Sequence, residues 1–300
     1  MAQSRNFGII GAAGYVAPRH MKAIVDTGNK LVAATDPFDS VGIIDRYAPE
    51  ASFFTEFERF DRHAEKLRRM GEADRLHYIS VCSPNYLHDA HCRFALRIGA
   101  DAICEKPLVL NPWNVDALQD IENETGQKIY NVLQLRMHPS VIRLKKQVEA
   151  EPTGKRFDID LTYIASRGKW YFISWKGDES KSGGVATNIG VHFFDMLMWI
   201  FGSELASTVT HRSAHSMKGE LTLENADVTW HLSVDQNDLP AEAGEKTTWR
   251  SLTLDGEAFE FSDGFTDLHT AVYQDILNGG GYGLADARPA IELVHRIRGG

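Results

Sequence analysis

The sequence predicts an α/β protein in which a doubly wound parallel sheet is followed by an α+β domain with a mainly antiparallel open sheet. Short β-rich runs alternate with amphipathic stretches over about the first 130 residues, as βαβ units require. A glycine-rich turn joins the first predicted strand to the first predicted helix. After about Gln134 the pattern changes to alternating strands, which favours an antiparallel sheet.

β-rich runs and amphipathic stretches give the elements of the first domain, residues 1–130, in chain order. Its predicted strands are Phe7–Ile10, Leu31–Thr35, Tyr78–Cys82, Ala102–Cys104 and Ile129–Gln134. Its predicted helices are Pro18–Thr27, Phe57–Met70, Asp89–Ile98 and Pro112–Thr125. Glycines follow three of these helices as C-terminal caps, and Asn111 before Pro112 is a typical helix start.

The second domain, residues 131–300, begins with a predicted helix over Ser140–Ala150. Its predicted strands are Arg156–Ser166, Ser207–His211, Asp227–Val234 and Thr247–Leu254. Two further helices are predicted over His192–Phe201 and Arg288–Arg298. No flexible linker marks the boundary, which we infer from the change of periodicity alone.

Composition excludes several classes of protein. The 300 residues carry a formal net charge of -9 without a long basic stretch, so we expect no nucleic-acid partner. Three cysteines without C-x-x-C spacing indicate neither a disulfide framework nor a zinc ribbon, which fits a reducing cytoplasm. The N-terminal segment lacks the pattern of a signal peptide, and the apolar run near Phe193–Phe201 is too short to span a membrane.

The first strand leads directly into the turn Gly11-Ala12-Ala13-Gly14, which is the context of a dinucleotide-binding site. Gly11 would form the tight turn, and Gly14 would let the backbone approach a pyrophosphate at the helix N-terminus. Asp36 ends the next strand, where a carboxylate accepts hydrogen bonds from the ribose hydroxyls of NAD and repels the phosphate of NADP. Glycine turns without nucleotides are common, and Asp36 before Pro37 is also an ordinary strand end. The candidate cofactor residues of this region are Gly11, Ala13, Gly14, Tyr15, Val16 and Asp36.

Three later motifs follow predicted strands or open a predicted helix: SPNYLH at residues 83–88, EKP at 105–107 and GGVATNIGVH at 183–192. With the glycine turn they resemble, in order, the signatures of the Gfo/Idh/MocA oxidoreductases. The resemblance implies a Rossmann domain that binds NAD, followed by a substrate-binding domain whose sheet supports a homo-oligomer, with a tetramer as the expected state. It adds Ser83, Asn85, His88, Glu105 and Lys106 to the candidate cofactor residues.

Oxidation of a sugar hydroxyl requires a base that removes the hydroxyl proton while hydride leaves the same carbon. Lys106 and His192 are the candidate catalytic residues, and the resemblance leaves open which of them takes the proton. The family often has Asp where this chain has Asn188, and an amide cannot hold a proton or a charge. We therefore assign Asn188 to substrate positioning.

Longer runs, including FFTEFERFDRHAEKLRRMG and WYFISWKGDESKSGGVATNIGVHFFD, resemble the family members that oxidise UDP-N-acetylglucosaminuronate at C3 for O-antigen synthesis. That resemblance implies 2-oxoglutarate as a possible reoxidant of NADH and a PLP aminotransferase as the next enzyme. A diphosphate and a carboxylate require cations, and aromatic rings would stack on uracil or sugar. Each candidate cation could equally be an ordinary surface residue, and each candidate aromatic residue could equally belong to the core. The candidate substrate residues are Lys106, Arg136, Arg167, Lys169, Tyr171, Asn188 and His192, with Lys176, Tyr163 and Trp170 as further possibilities.

Two other functions remain open. The chain could be another family dehydrogenase that acts on a polyol or free sugar, including one with a redox cycle and no net oxidation. It could also be a non-catalytic protein that binds NAD or a sugar nucleotide, although the presence of both Lys106 and His192 argues against that. His88, His91 and Cys92 have helical spacing but lack a convincing third ligand, so we expect no metal site.

Overall fold

The computed structural model describes residues 4–260 and 267–299. Its strands are β1 Asn6–Ile10, β2 Lys30–Thr35, β3 Ser52–Phe54, β4 Tyr78–Val81, β5 Asp101–Cys104, β6 Ile129–Asn131, β7 Phe157–Ala165, β8 Glu204–Arg212, β9 Ser216–Leu223, β10 Ala226–Ser233, β11 Thr248–Leu254 and β12 Glu257–Ala258. Its helices are α1 Ala17–Asp26, α2 Ile44–Tyr47, α3 Phe57–Met70, α4 His88–Arg97, α5 Pro112–Thr125, α6 Pro139–Ala150, α7 Lys169–Ile173, α8 Glu179–Ser182, α9 Val191–Phe201, α10 Leu268–Leu277 and α11 Leu284–Ile297.

The chain divides into two compact units. The first comprises Met1–Val132 and Thr266–Ala287, and the second comprises Leu133–Phe265 and Arg288–Gly300. The first unit therefore includes α10, a helix from the part of the chain that the sequence assigns to the second domain, residues 131–300. Because α10 packs against α1, the contacts that complete the first unit come from a distant part of the sequence.

The first unit contains a six-stranded parallel sheet in the order β3-β2-β1-β4-β5-β6. This is the strand order of a Rossmann fold, so the predicted doubly wound sheet is confirmed. The carboxyl ends of parallel strands lie at one edge of the sheet. Residues that follow four of the strands, Gly11, Asp36, Ser83 and Glu105, are thus brought to the edge where such sheets bind ligands.

The second unit contains a six-stranded sheet in the order β12-β11-β7-β10-β9-β8. Most neighbouring strands are antiparallel, as predicted, but β7 and β10 run parallel. The chain between them crosses over through the α7–α9 region, which is how parallel neighbours are joined. One face of this sheet packs on α9 in an apolar core that includes Phe194 and Trp230.

The sequence predicts no strand at β9, Ser216–Leu223, which contains Gly219. A Cβ atom at Gly219 would lie 2.2 Å from the carbonyl oxygen of Thr208 and 2.5 Å from the indole of Trp230. The glycine therefore makes room for the largest fully buried side chain of the core. The sequence also does not predict the short elements β3, β12, α2, α7 and α8.

The predicted bounds of α3 and α5 agree with the structure, whereas the predicted strand Ile129–Gln134 is too long. After Asn131 the apolar run continues into a 3-10 turn, Gln134–Met137, in which Leu135 is buried. Burial without strand pairing explains why an apolar run overstates the length of the strand.

One helical run, Glu179–Phe201, is long and apolar enough to cross a membrane by length and composition alone. Of the apolar 18-residue window in this run, 72% is buried inside the protein. Because α9 carries Phe193, Phe194 and Phe201 into the core of the second unit, we interpret this run as a buried core helix.

Candidate functional site

The glycine turn after β1 is held against the ends of two neighbouring strands. Gly11 donates its N–H to the carbonyl of Thr35 at 2.9 Å, and its φ of 88° lies in the left-handed region. A Cβ atom at Gly11 would lie 2.6 Å from the backbone of Cys82. The turn therefore requires glycine at this position and leads into the N-terminus of α1, a site that suits a phosphate.

The carboxylate of Asp36 connects the end of β2 to this turn. Its Oδ2 atom accepts the N–H of Ala13 at 3.0 Å, and its Oδ1 atom accepts the N–H of Phe38 at 2.9 Å. Each carboxylate oxygen can accept a further hydrogen bond, so both hydroxyls of a ribose can bind there. The predicted position of Asp36 beside the glycine turn thus fits a dinucleotide.

The SPNYLH and EKP motifs are joined by His88. Its Nδ1 atom lies 2.7 Å from the carbonyl oxygen of Pro107, and its Nε2 atom lies 2.8 Å from that of Ser83. The Ser83 hydroxyl lies 2.7 Å from Nδ1 of His91, and Asn85 is buried in the turn that follows. His88 and His91 thus have partners within the protein, and His88 fixes the spacing of two strand ends.

Glu105 lies at the end of β5 and is almost fully buried. Its N–H donates to the carbonyl of Val81 at 3.0 Å, and the amide of Asn131 donates to the carbonyls of Cys104 and Glu105. Its carboxylate accepts hydrogen bonds from the rings of His20 and His269. Lys106, which is half-buried, follows directly, so its backbone starts from a rigid strand end.

The GGVATNIGVH motif forms a π-helical turn, Ala186–Gly190, that continues into α9. Such turns occur often at functional sites because they displace side chains from the regular helix faces. Asn188 donates its amide N–H to the Tyr171 hydroxyl at 2.7 Å. Burial raises the pKa of Tyr171, while Asn188 and the charge of Arg167 oppose this rise.

His192 lies on the first turn of α9 among aromatic rings. Its ring centroid lies 4.3 Å from that of Phe193 and 6.2 Å from that of Tyr163. The Arg250 guanidinium lies 5.6 Å from the centroid of Tyr163, and burial lowers the pKa of Arg250. Arg250 and His192 thus both contact the region of the Tyr163 ring, and the sequence did not indicate Arg250.

Arg136 is engaged in a buried pair inside the second unit. Its Nη2 atom lies 2.6 Å from Oδ1 of Asp195, and its Nε atom lies 3.0 Å from Oδ2. A two-point bond of this kind fixes the guanidinium and neutralises its charge. The sequence predicts Arg136 as a ligand for an anionic substrate, whereas in the structure its guanidinium is bound by Asp195.

The other candidate cations lie in the segment of residues 167–176. Arg167 and Lys169 are exposed, as is Trp170. Lys176 is half-buried, with its ammonium 4.3 Å from the centroid of Trp175, and burial lowers its pKa. Exposed cations beside exposed rings suit a ligand that combines charged groups with flat ring faces.

Comparisons with known proteins agree with this arrangement. An oxidoreductase-family profile described as an NAD-binding Rossmann fold matches residues 5–132. A second profile of the same family, described as a C-terminal alpha/beta domain, matches residues 145–236. The chain belongs to the Gfo/Idh/MocA oxidoreductase family. Its first unit is the NAD-binding domain of that family.

Among solved structures, this Gfo/Idh/MocA chain is similar to the WlbA (WbpB) dehydrogenase from Thermus thermophilus. The complex of that protein with NAD and alpha-ketoglutarate is 49% identical, with a TM-score of 0.94, over 98% of this chain and 94% of that chain. Its complex with NAD and UDP-GlcNAcA is 48% identical, with a TM-score of 0.93 and the same coverage.

Among curated proteins, the chain is 24% identical to Inositol 2-dehydrogenase 1 of Saccharopolyspora erythraea over 221 residues, which is 72% of this chain and 60% of that protein. The chain spans less than two thirds of the length of the first curated relatives that it matches.

The residues of the first unit fit NAD by their own geometry. Gly11 removes a Cβ atom that would fill the turn, and both oxygens of Asp36 retain capacity for ribose hydroxyls. Asp36 also carries the negative charge that disfavours a phosphorylated ribose.

Sequence reasoning missed the two histidines that hold Glu105. His20 lies on the buried face of α1, beside Ala17 and Ile24, and His269 lies in α10, a helix that the sequence did not predict. The signal that could have found His20 is a polar residue on the apolar face of an amphipathic helix. No comparable signal connects His269 to Glu105, because 164 positions separate them.

Proposed function

We propose that this chain oxidises the C3 hydroxyl of UDP-N-acetyl-D-glucosaminuronate to the 3-keto sugar nucleotide with NAD. The observation that carries the proposal is 49% identity over nearly the whole chain to a dehydrogenase that has been solved with NAD and alpha-ketoglutarate and with UDP-GlcNAcA. The chain carries Lys106 and His192, which can take up a proton, and Asn188, which can hydrogen-bond to a sugar.

Bound NAD supplies the hydride acceptor. Lys106 and His192 are the proposed proton-handling residues: one of them takes the proton of the C3 hydroxyl as the C–H bond breaks. The Asn188 amide, which donates to the Tyr171 hydroxyl, also hydrogen-bonds to the sugar as a donor or an acceptor. Electrons and protons balance, because the alcohol loses one hydride and one proton.

The substrate carries negative charge on its diphosphate and its carboxylate. We assign Arg167 and Lys169 to these groups because both are exposed and lie next to Trp170 and Tyr171. Lys176 and Arg250 are further candidates, since each is a partly buried cation beside an aromatic ring. Guanidinium groups bind such anions at two points, which favours the arginines for the diphosphate.

The proposal extends to the role of the reaction. A 3-keto sugar nucleotide is a substrate for a PLP aminotransferase, and we propose that the product is aminated on the way to a diacetamido uronic acid of O-antigen. We further propose a cytoplasmic homo-oligomer, with a tetramer as the first candidate, and 2-oxoglutarate as the compound that reoxidises NADH.

The proposal is tested by mixing the protein with NAD and UDP-N-acetylglucosaminuronate, with and without 2-oxoglutarate. Absorbance at 340 nm and the product mass are recorded together. Loss of two mass units from the sugar nucleotide is the expected result, and dependence on 2-oxoglutarate would identify the reoxidant. Oxidation of inositol or a free sugar instead would replace the substrate in this proposal. Binding with neither a mass change nor an absorbance change at 340 nm would identify a non-catalytic protein.

A further inference from the structure

A cluster of three buried ionisable side chains lies behind the proposed proton-handling lysine. Within the first unit, Nε2 of His20 lies 3.0 Å from Oε1 of Glu105, and Nε2 of His269 lies 2.9 Å from the same oxygen. All three residues are buried, His20 completely. The two histidines come from α1 and α10, so the cluster joins helices from opposite ends of the sequence.

The hydrogen bonds around His20 have one consistent direction. Glu105 Oε1 can only accept when ionised, so both Nε2 atoms carry protons and donate. The Nδ1 atom of His20 lies 2.7 Å from the Tyr273 hydroxyl, which lies 2.6 Å from the Ser80 hydroxyl. A neutral His20 then accepts from Tyr273, and Ser80 donates to Tyr273. In this series of hydrogen bonds, which runs from Ser80 through Tyr273 and His20 to Glu105, each donor has an acceptor, and the negative charge resides on Glu105.

The charges of the cluster agree with this assignment. Burial raises the pKa of Glu105, but the hydrogen bonds from His20 and His269 outweigh burial and leave that pKa well below its usual range. Burial lowers the pKa of His20 and raises that of Tyr273, so both are neutral donors or acceptors near pH 7.

The second oxygen of Glu105 connects the cluster to the site. Oε2 accepts the backbone N–H of Lys106 at 3.2 Å. The orientation of the Glu105 carboxylate, which the two histidines fix, thereby restrains the backbone of the residue that follows. A carboxylate that could rotate would release that N–H and let the start of the Lys106 side chain move.

We propose that His20 and His269 are positioning residues that hold the Glu105 carboxylate so that it fixes the backbone of Lys106 for proton transfer. The inference rests on the proposed function in one respect, namely that Lys106 handles the proton. Neither histidine is a catalytic residue, because each acts through Glu105.

A metal ion is the alternative use of the same three side chains, since their ligand atoms lie within 4.8 Å of one another. The distances from both Nε2 atoms to Oε1 are those of ordinary hydrogen bonds, and both atoms donate to one oxygen. A metal ion would displace both protons and leave the buried carboxylate without them. We therefore favour the hydrogen-bonded cluster, and the test below includes metal content.

The first test compares His269→Leu with His269→Gln, because glutamine keeps an N–H donor and leucine does not. We expect His269→Leu to lower kcat about 10- to 100-fold, the value of a lost hydrogen bond to a charged group, with a much smaller change in KM for NAD. His269→Gln should recover most of the loss. Leu118→Ala, a buried substitution in α5, is the control for general destabilisation. Equal losses in both His269 variants would overturn the proposal.

The second test does not need the substrate. Ring ¹⁵N spectra of histidine-labelled protein, assigned with His20→Gln and His269→Gln, should show protonated Nε2 atoms in both rings and unprotonated Nδ1 in His20. A proton on Nδ1 of His20, or one metal ion per chain by elemental analysis, would contradict the cluster. If wild-type protein fails to oxidise the sugar nucleotide but these spectra are as expected, the proposed function fails and the arrangement of the cluster stands.

Discussion

The two units place their polar groups in different ways. In the first unit, buried polar side chains lie at the strand ends that form the NAD site, and each has partners supplied by other strands and helices. In the second unit, the core is largely apolar around α9, and the candidate substrate cations Arg167 and Lys169 lie at the surface. The candidate cofactor residues are therefore built into the core of their unit, whereas the two proposed substrate cations lie on the surface of the other.

This difference determines how strongly a substitution affects each site. A buried polar group must be satisfied, so substitutions around the NAD site disturb several partners at once. Exposed cations contribute individually and weakly, which allows the substrate-binding segment to vary without loss of fold. We expect family members to share the buried polar groups around the NAD site and to differ in the exposed cations of the substrate-binding segment.

The largest expected effect concerns Lys106. Lys106→Met should lower kcat about 10³-fold, because general acid–base catalysis contributes about 10²- to 10⁴-fold. Affinity for NAD, measured by calorimetry, should change much less. Lys66→Met, a substitution of an exposed lysine in α3, is the matched control and should keep wild-type turnover. Full turnover by the Lys106 variant would show that Lys106, the proposed proton-handling residue of the first unit, does not take the proton.

The buried ion pair of the second unit gives the next effect. Arg136→Met should lower the free energy of unfolding by about 3–5 kcal/mol, because it leaves Asp195 charged in the core. The double variant Arg136→Met with Asp195→Leu should recover most of this loss, as an apolar core would. Denaturant unfolding of both single variants and the double variant measures the coupling. Near-additive losses would mean that the pair is not what stabilises this region.

These first two effects could not have been distinguished by sequence alone. Lysine after a strand end and arginine in an apolar region both fit an anion site, but only the structure shows that Arg136 faces Asp195. The glycine turn, Asp36 and the strand-end motifs were predictable because local patterns specify them. The contacts of His20 and His269 with Glu105 were not, because they depend on which helices pack together.

A pH effect separates the buried polar groups of the first unit from the surface of the second. Burial lowers the pKa of His91 to about 4 from 6.5, so the unfolded chain binds the proton more readily between these values. The contribution of His91 to the free energy of unfolding is therefore fully present above pH 6.5. It falls by about 2–3 kcal/mol as the pH drops to 4.

His91→Gln should reduce this acid sensitivity, because glutamine can still bond Ser83 and does not titrate. Thermal unfolding at a series of pH values measures the difference from wild type. An unchanged pH slope in the variant would assign the acid sensitivity to other buried histidines.

The smallest expected effect belongs to the exposed segment. Arg167→Gln with Lys169→Gln should raise KM for the sugar nucleotide about tenfold, since exposed charges contribute at most about 1 kcal/mol each. The increase should become smaller at high salt. Lys218→Gln, an exposed substitution in β9, is the control. An unchanged KM would contradict the assignment of Arg167 and Lys169 to the substrate anions and would favour Lys176 and Arg250 instead.

In the proposed reaction, hydride leaves C3 of the sugar nucleotide. The most direct test supplies UDP-N-acetylglucosaminuronate that carries deuterium at C3, together with the protein and NAD, and follows the label by mass spectrometry. We expect deuterium to leave the sugar and to be found in the reduced cofactor, or in 2-hydroxyglutarate when 2-oxoglutarate is present. Deuterium that stays on the sugar during turnover would contradict oxidation at C3.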